Sequence, residues 1–279
     1  MHETQDEALL IEAILASGVK IPPIPEVLLK LNTMLHDPDA GPRQLADIVR
    51  HDGASSGALF RLAASPVFGL RARVDTVDKA ATVLGMKNAV ATVRGAALRA
   101  ALQSPEHARA LEAVWARSNA IAEQSLAALR SRRIAAVNSE MAYTLGLFHD
   151  CGLGLLIRRF PVYGQALAPD AVWPDLVEID RQAGAHHGMA GQMVARSWLL
   201  QEELGLAIRH HHDPQAMQYV PEEVARLCAV LAFATHLHNV QTLSDDREWD
   251  AGWRSEAARS LTMTDQDLTG WETATLDPD

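Results

Sequence analysis

Hydrophobic residues recur at helical spacing along most of the chain, and prolines and glycines separate the successive helices. In one clear example, Leu28, Leu31 and Leu35 lie on one helical face, and Asp37-Pro38 ends that helix. Runs of β-branched and aromatic residues, which are typical of strands, are scarce. The pattern therefore predicts an all-α fold built from many short helices.

The strongest breaks in this pattern divide the chain into segments. Ser104-Pro105 interrupts the helical spacing, and after Asn239 the chain becomes acidic. Trp249 and Trp253, which are four residues apart, favour a short helix that docks back on the body, and the tail from about 272 is expected to be mobile. Helix starts are predicted at the capping residues Asp52, Thr76 and Asn138. The predicted segments are an N-terminal extension over 1–13, a first helical unit over 14–104 with a loop over 67–75, a second helical unit over 105–240, and an acidic C-terminal extension over 241–279.

Composition and charge narrow the classes of function. The 279 residues are 48% apolar, which is enough for a full hydrophobic core. The formal net charge of −10 argues against a broad basic surface for nucleic acid or anionic lipid. The acidic start does not resemble a signal peptide, and no apolar stretch approaches the roughly 20 residues of a membrane span. Cys151 and Cys228 have no CxxC spacing, so we expect reduced, buried thiols in a cytoplasmic protein.

Three groups of histidines carry the candidate chemistry, and they lie on or at the ends of separate predicted helices. The groups are His149-Asp150, His186-His187 and His210-His211-His212. A helical bundle can bring such positions together in its interior. Imidazole nitrogens with one carboxylate suit Zn, Fe, Ni or Mn, and such an ion can activate water for phosphoester hydrolysis. The candidate metal ligands are therefore His149, Asp150, His187 and His211 or His212.

The same histidines have plainer interpretations. A histidine near apolar residues is usually a hydrogen-bonded core or capping residue, and doublets also occur at exposed helix ends. A further interpretation makes the cluster at 210–212 a pH sensor that titrates near its ordinary pKa of about 6.5. The sequence contains no GxxxxGK[ST] loop, no GxGxxG after a strand and no GxSxG turn. Cys151 and His149 are two residues apart and would face different sides of a helix, so they do not form a nucleophile pair.

The order and spacing of several motifs resemble the HDOD family, bacterial signal-transduction proteins related to the HD-domain phosphohydrolases. Two of these motifs are Ile21-Pro22-Pro23-Ile24-Pro25 and Gly146-Leu147-Phe148-His149-Asp150-Cys151-Gly152. The other matching positions are 45–49 with Asp52, 59–65 with Phe68 and Gly69, 80–85, Trp115, Ser118, Gly184, His187, Gly191, Trp198 and 207–214. The resemblance covers about residues 14–240. It implies a multi-helical fold in which a small N-terminal bundle packs on an HD-like unit.

At two positions the sequence departs from the active HD phosphohydrolases that it resembles. The resemblance implies that Arg117 replaces a histidine ligand and that Thr235 replaces a late aspartate. Arg117 would place a fixed positive charge near a bound cation, and Thr235 removes a compensating negative charge. The implied site is a vestigial HD centre without its full ligand set, made of Arg117, His149, Asp150, His187, His211, His212 and Thr235.

The resemblance implies a non-catalytic regulatory module that binds a signalling protein or a small ligand, with no catalytic residue and no required cofactor. In such a module, His149 and Asp150 would hydrogen-bond across helices to His187 or to the pair at 211–212, with Arg117 as a further partner of Asp150. The alternative is a metal-dependent phosphohydrolase or a nucleotide-binding protein with an altered site. In that case Arg117 would bind a phosphate instead.

Overall fold

The computed structural model describes residues 2–68, 74–132, 134, 136–167 and 172–277, with side chains from Leu9 onward in the first helix. All regular elements in these ranges are helical, which confirms the all-α prediction. Most of the loop predicted over 67–75 lies outside the described residues. Cys151 and Cys228 are free and buried, as predicted. None of the described helices is both long and apolar enough to cross a membrane.

Sixteen α-helices follow one another along the described residues. They are α1 His2–Ala16, α2 Glu26–Leu35, α3 Pro42–Val49, α4 Gly53–Ala63, α5 Val77–Leu84, α6 Met86–Ala101, α7 Ala108–Ser131, α8 Ser139–Phe148, α9 Cys151–Leu156, α10 Pro161–Ala166, α11 Leu176–Ala183, α12 His187–Ser197, α13 Glu202–His210, α14 Glu222–Thr242, α15 Arg254–Leu261 and α16 Asp265–Leu276. A π-helical turn at Trp249–Trp253 precedes α15. Short 3₁₀ turns occupy Pro66–Phe68, Pro105–His107 and Ala216–Gln218.

The three predicted capping residues all begin helices. Asp52 accepts hydrogen bonds from the backbone N–H groups of Ala54 and Ser55 at 3.0 and 3.3 Å, at the start of α4. Thr76 caps α5 and Asn138 caps α8 in the same way. These bonds satisfy amide groups that have no partner within the first helical turn. The predicted helix starts are therefore confirmed.

The chain forms two compact units, and each is described by itself. The smaller unit is Pro22–Leu102, and the larger unit joins Met1–Ile21 to Gln103–Asp279. The core of the smaller unit includes the fully buried leucines Leu31, Leu45, Leu59 and Leu98. Its end lies close to the predicted boundary at 104, but its start differs from the predicted residue 14. The reason is that Ile14 on α1 is fully buried and α1 contacts α12 of the larger unit.

The larger unit is organised around α7, against which α8 and α14 pack, while α12 packs against α9 and α13. Two of these contacts require glycine. A Cβ on Gly146 would lie 2.5 Å from Cα of Ala122, and a Cβ on Gly152 would lie 1.9 Å from the carbonyl oxygen of His187. Both helix pairs are thus closer than any side chain would allow. These glycines flank His149-Asp150 and bring that pair close to α7 and α12.

The C-terminal extension packs on the larger unit through its tryptophans. Trp249, Trp253 and Trp271 are all buried. The ring of Trp271 stacks on Phe233 at 3.9 Å, and its Nε1–H donates to the carbonyl of Ala128 at 2.7 Å. The expected docking of Trp249 and Trp253 is therefore confirmed, although the turn they define is π-helical. Helix α16 continues to Leu276, beyond the predicted start of a mobile tail, whose mobility stays a prediction.

Candidate metal centre

The ends of four helices bring three histidines and one aspartate together inside the larger unit. His149 follows the last residue of α8, and Asp150 immediately precedes α9. His187 opens α12, and His211 follows the last residue of α13. All four side chains are buried, with exposed fractions of 6% or less. The structure therefore brings together the four candidate ligands that the sequence analysis selects.

Asp150 lies at the centre of this cluster. Its Oδ2 is 3.1 Å from Nε2 of His149. Its Oδ1 is 3.4 Å from Nε2 of His187 and 3.5 Å from Nε2 of His211. The Nε2 atoms of His187 and His211 are themselves 3.4 Å apart. Three ring nitrogens thus converge on one carboxylate, and in each ring the converging atom is Nε2.

Two backbone carbonyls determine which ring nitrogen carries the proton in His149 and His211. Nδ1 of His149 lies 2.8 Å from the carbonyl oxygen of Gly146, and Nδ1 of His211 lies 2.7 Å from that of Ile208. A carbonyl oxygen only accepts hydrogen bonds, so both Nδ1 atoms must be the donors. In the neutral ring the lone pair is then on Nε2, which faces Asp150. This is the orientation in which proteins hold histidine ligands of metal ions.

A buried carboxylate holds His187 in the same orientation. Nδ1 of His187 is 2.8 Å from Oδ2 of Asp180, and the backbone N–H of His187 donates to the same carboxylate. Tyr163 donates its hydroxyl to Asp180 at 2.7 Å. The tyrosine thus fixes the carboxylate, and the carboxylate fixes the imidazole. A histidine supported by a carboxylate is a common outer arrangement of metal sites.

The pKa values of the cluster reflect the negative charge of Asp150. Burial opposes its ionisation, but the charge of His149 and the contacts with His187 and His211 hold the pKa of Asp150 well below its usual range. Burial would lower the pKa of His187, but Asp180 and Asp150 raise it to about 10. Burial depresses the pKa of His211 well below its usual value. His187 therefore lies between two carboxylates that both favour its protonated form.

The donor set fits a divalent transition metal. Asp150, His187, His211 and His212 each offer one ligand atom, and these atoms all lie within 4.8 Å of one another. Oδ1 of Asp150 and Nε2 of His212 are buried without a hydrogen-bond partner among the described residues. Such buried polar atoms are unfavourable unless something pairs with them. Imidazole with one carboxylate is a ligand set of Zn, Fe, Ni and Mn rather than of Mg or Ca.

A cavity of about 100 Å³ adjoins the cluster, and both Arg117 and Thr235 line it. Arg117 lies 4.7 Å from the ring centre of Trp173 and donates a hydrogen bond to Asn239 at 2.8 Å. The expected hydrogen bond from Arg117 to Asp150 is therefore replaced by one to Asn239, and Arg117 acts on Asp150 through charge. The two positions that the resemblance marks as altered face the same cavity as the histidine cluster.

Two acidic residues of the site escaped the sequence analysis. Asp180 lies seven residues before His187, and nothing in the local pattern distinguishes it from an ordinary helical aspartate. Glu248 accepts a hydrogen bond from Nδ1 of His212 at 2.7 Å across 36 residues of sequence. It belongs to the C-terminal extension, which lies outside the resemblance. The acidic composition of that extension was the one available signal.

Comparison with known protein families identifies the family to which this chain belongs. Residues 21–214 match the HDOD domain. The chain belongs to the HDOD family. The resemblance stated from the sequence is thereby confirmed, and the HDOD match includes His149, Asp150, His187 and His211. It ends before Thr235 and the C-terminal extension. No match is found among curated proteins.

Three solved structures have a similar fold. An HDOD domain protein of unknown function from Geobacter sulfurreducens is 22% identical over 98% of each chain, with a TM-score of 0.67. A candidate metal-dependent phosphohydrolase from Shewanella amazonensis is 16% identical over 99% of each chain, with a TM-score of 0.64. A candidate signal transduction protein from Marinobacter aquaeolei is 20% identical over 99% of this chain and 66% of its own, with a TM-score of 0.61. At these identities the likeness establishes the shared fold.

Proposed function

We propose that this HDOD protein is a regulatory module whose histidine–aspartate cluster holds one divalent transition metal ion, and which acts by binding a signalling protein or a small ligand. The observation that carries the proposal is the common orientation of His149, His187 and His211. Each ring directs Nδ1 to an acceptor and Nε2 towards Asp150. The metal would be held by these residues and His212, where it would compensate the charge of Asp150.

The number of protein donors supports a regulatory role rather than a hydrolytic one. Asp150, His187, His211 and His212 supply four donors, and His149, whose Nε2 lies 3.1 Å from Oδ2 of Asp150, is a fifth donor beside them. Structural metal sites are filled by protein ligands, whereas catalytic sites keep positions open for water and substrate. A site with four or five protein donors therefore suits a metal that stabilises one conformation. With Zn, which is four-coordinate in structural sites, it leaves little room for an exchangeable water.

The charges around the cluster argue against a second metal ion. Among the described residues, the metal-competent group contains one carboxylate, Asp150. Two-metal hydrolytic centres hold two cations about 3.5–4 Å apart, which requires more negative charge. Arg117 adds a half-buried positive charge at the neighbouring cavity, and Thr235 supplies no negative charge to offset it. The site therefore favours one cation over two.

Metal analysis and turnover assays on the same preparation test this proposal. We expect about one Zn, Fe, Ni or Mn ion per chain, lost in both His149→Ala and Asp150→Ala but kept in His51→Ala, which removes an exposed histidine of the smaller unit. We expect no hydrolysis of phosphodiesters or nucleotides with any of these metals. Absence of metal at saturating concentration would refute metal binding. Hydrolysis abolished by both cluster substitutions would refute the regulatory role.

The alternative is a metal-dependent phosphohydrolase or nucleotide-binding protein, and the position of Arg117 favours it. Its guanidinium group lines the cavity beside the cluster, and such groups bind phosphate well. A melting-temperature shift with nucleotides that disappears in Arg117→Ala would support this alternative. No shift in the wild-type protein, with or without metal, would remove it.

A further inference from the structure

The C-terminal extension contributes a carboxylate to the edge of the histidine cluster. Oε2 of Glu248 lies 2.7 Å from Nδ1 of His212. Glu248 also lines the cavity beside the cluster. The family match ends at residue 214, so this carboxylate lies outside the matched HDOD region.

The hydrogen bond to Glu248 determines which ring nitrogen of His212 carries the proton. A carboxylate accepts hydrogen bonds, so Nδ1 of His212 is the donor and the lone pair of the neutral ring lies on Nε2. This Nε2 is buried and has no partner among the described residues. The ring of His212 lies 4.1 Å from that of His211 and 5.0 Å from that of His187, measured between centroids. The unpartnered nitrogen therefore belongs to a ring that lies directly beside those of His187 and His211.

Neighbouring residues of the extension hold Glu248 in place. Asp246 accepts a hydrogen bond from the side chain of Asn239 at 2.9 Å and is also bonded to His236. Trp249, the next residue after Glu248, is buried and stacks on His236 at 4.5 Å. The position of Glu248 is thus fixed from both sides by contacts with α14. The backbone at Glu248 is therefore held close to His212, while its side chain remains exposed.

We infer that the C-terminal extension completes the metal site of this HDOD protein, because Glu248 acts as a positioning residue that holds His212 as an additional nitrogen donor. The inference rests on the proposed function, since it needs the cluster to bind a metal. Glu248 accepts the hydrogen bond of Nδ1 of His212 as Asp180 accepts that of His187, although Glu248 is exposed and Asp180 is buried. Loss of such outer partners typically weakens metal binding about 10–100-fold.

Titration of the full-length protein with Co²⁺ alone tests this role, because the visible absorption spectrum of Co²⁺ reports its coordination. Affinity is measured by competition with a chelator, and folding by far-ultraviolet circular dichroism. The variants are Glu248→Ala, Glu248→Gln, His212→Ala and the double variant Glu248→Ala/His212→Ala. Asp245→Ala is the matched control, since Asp245 lies in the same extension and cavity but pairs with Arg247.

We expect Glu248→Ala and His212→Ala each to weaken Co²⁺ binding about tenfold or more and to change the spectrum in the same way. Glu248→Gln keeps an acceptor for Nδ1 and should retain most of the affinity, and Asp245→Ala should match the wild type. In the His212→Ala background, Glu248→Ala should have no further effect. Two results would overturn this inference but leave the proposed function standing. One is a wild-type affinity and spectrum in Glu248→Ala, and the other is that Glu248→Ala lowers the Co²⁺ affinity equally in the wild-type and His212→Ala backgrounds. Failure of the wild-type protein to bind Co²⁺ would overturn it together with the proposed function.

Discussion

Replacing Gly152 by alanine should separate two helices that together form the cluster. A Cβ at this position would lie 1.9 Å from the carbonyl oxygen of His187 and 2.7 Å from the backbone nitrogen of Gly191. Ordinary contacts begin at about 3.4 Å, so α9 and α12 must move apart by about 1.5 Å. Asp150 and His187 lie at the starts of these two helices, so their separation must change as well.

The loss of stability caused by this substitution depends on whether the added Cβ clashes with side-chain or backbone atoms. Overpacking usually costs about 1–3 kcal/mol, because side chains can rotate away from the added group. Here the obstacle is backbone, which cannot rotate away, so we expect the free energy of unfolding to fall by about 3 kcal/mol. For a unit of this size that corresponds to a melting temperature lower by about 6–12 °C.

Thermal unfolding followed by circular dichroism measures this effect, with Gly270→Ala as the control. Gly270 lies within α16, and a Cβ there would have no neighbour within 4 Å. Alanine should therefore stabilise that helix by about 0.5–1 kcal/mol and raise the melting temperature slightly. We therefore expect the melting temperature to fall in Gly152→Ala and to rise in Gly270→Ala. A melting temperature of Gly152→Ala within about 1 °C of the wild type would refute the packing argument.

Three further predictions address the surroundings of the cluster. Asp180→Ala should weaken metal binding about 10–100-fold, because Nδ1 of His187 loses its acceptor; unchanged affinity in a chelator competition would contradict this. Burial would lower the pKa of His236, but Asp246 raises it, so the pair stabilises the fold fully below pH 6.5 and less as pH rises through the raised pKa. The difference in unfolding free energy between wild type and His236→Gln, measured in urea, should thus shrink from pH 6 to pH 9, and a constant difference would count against the ion pair. Trp271→Phe should cost about 1 kcal/mol in urea unfolding, because it removes the indole hydrogen bond to Ala128, whose carbonyl keeps its bonds from Arg132 and Ser131, whereas a cost near zero would show that the indole bond contributes no net stability.

Local chemistry explains what could be predicted in advance. Helix starts at Asp52 and Asn138 depend on side chains that bond amides two or three residues away, so the sequence itself contains both partners. The all-α class follows from apolar spacing in the same way. The order of motifs identifies the family, and the fold of that family predicts that His149, Asp150 and the later histidines form one site.

Long-range packing explains what could not be predicted. The N-terminal helix belongs to the larger unit because Ile14 is buried there, a contact that no local pattern reveals. Asp180 looks like a surface residue of a helix until Tyr163 and His187 enclose it. Arg117 bonds Asn239, 122 residues away, rather than Asp150. Each of these partners is chosen by packing between helices.

The sequence by itself determined the helical class, the family and the residue types from which the site is made, since these depend on spacing and on motif order. The tertiary structure decided which nitrogen of each histidine faces Asp150, because that depends on acceptors such as Ile208 and Asp180 on the outer side of each ring. It also decided that Glu248 reaches His212. An imidazole is a ligand or a core hydrogen-bonding residue according to the direction of its lone pair, and only folded neighbours set that direction.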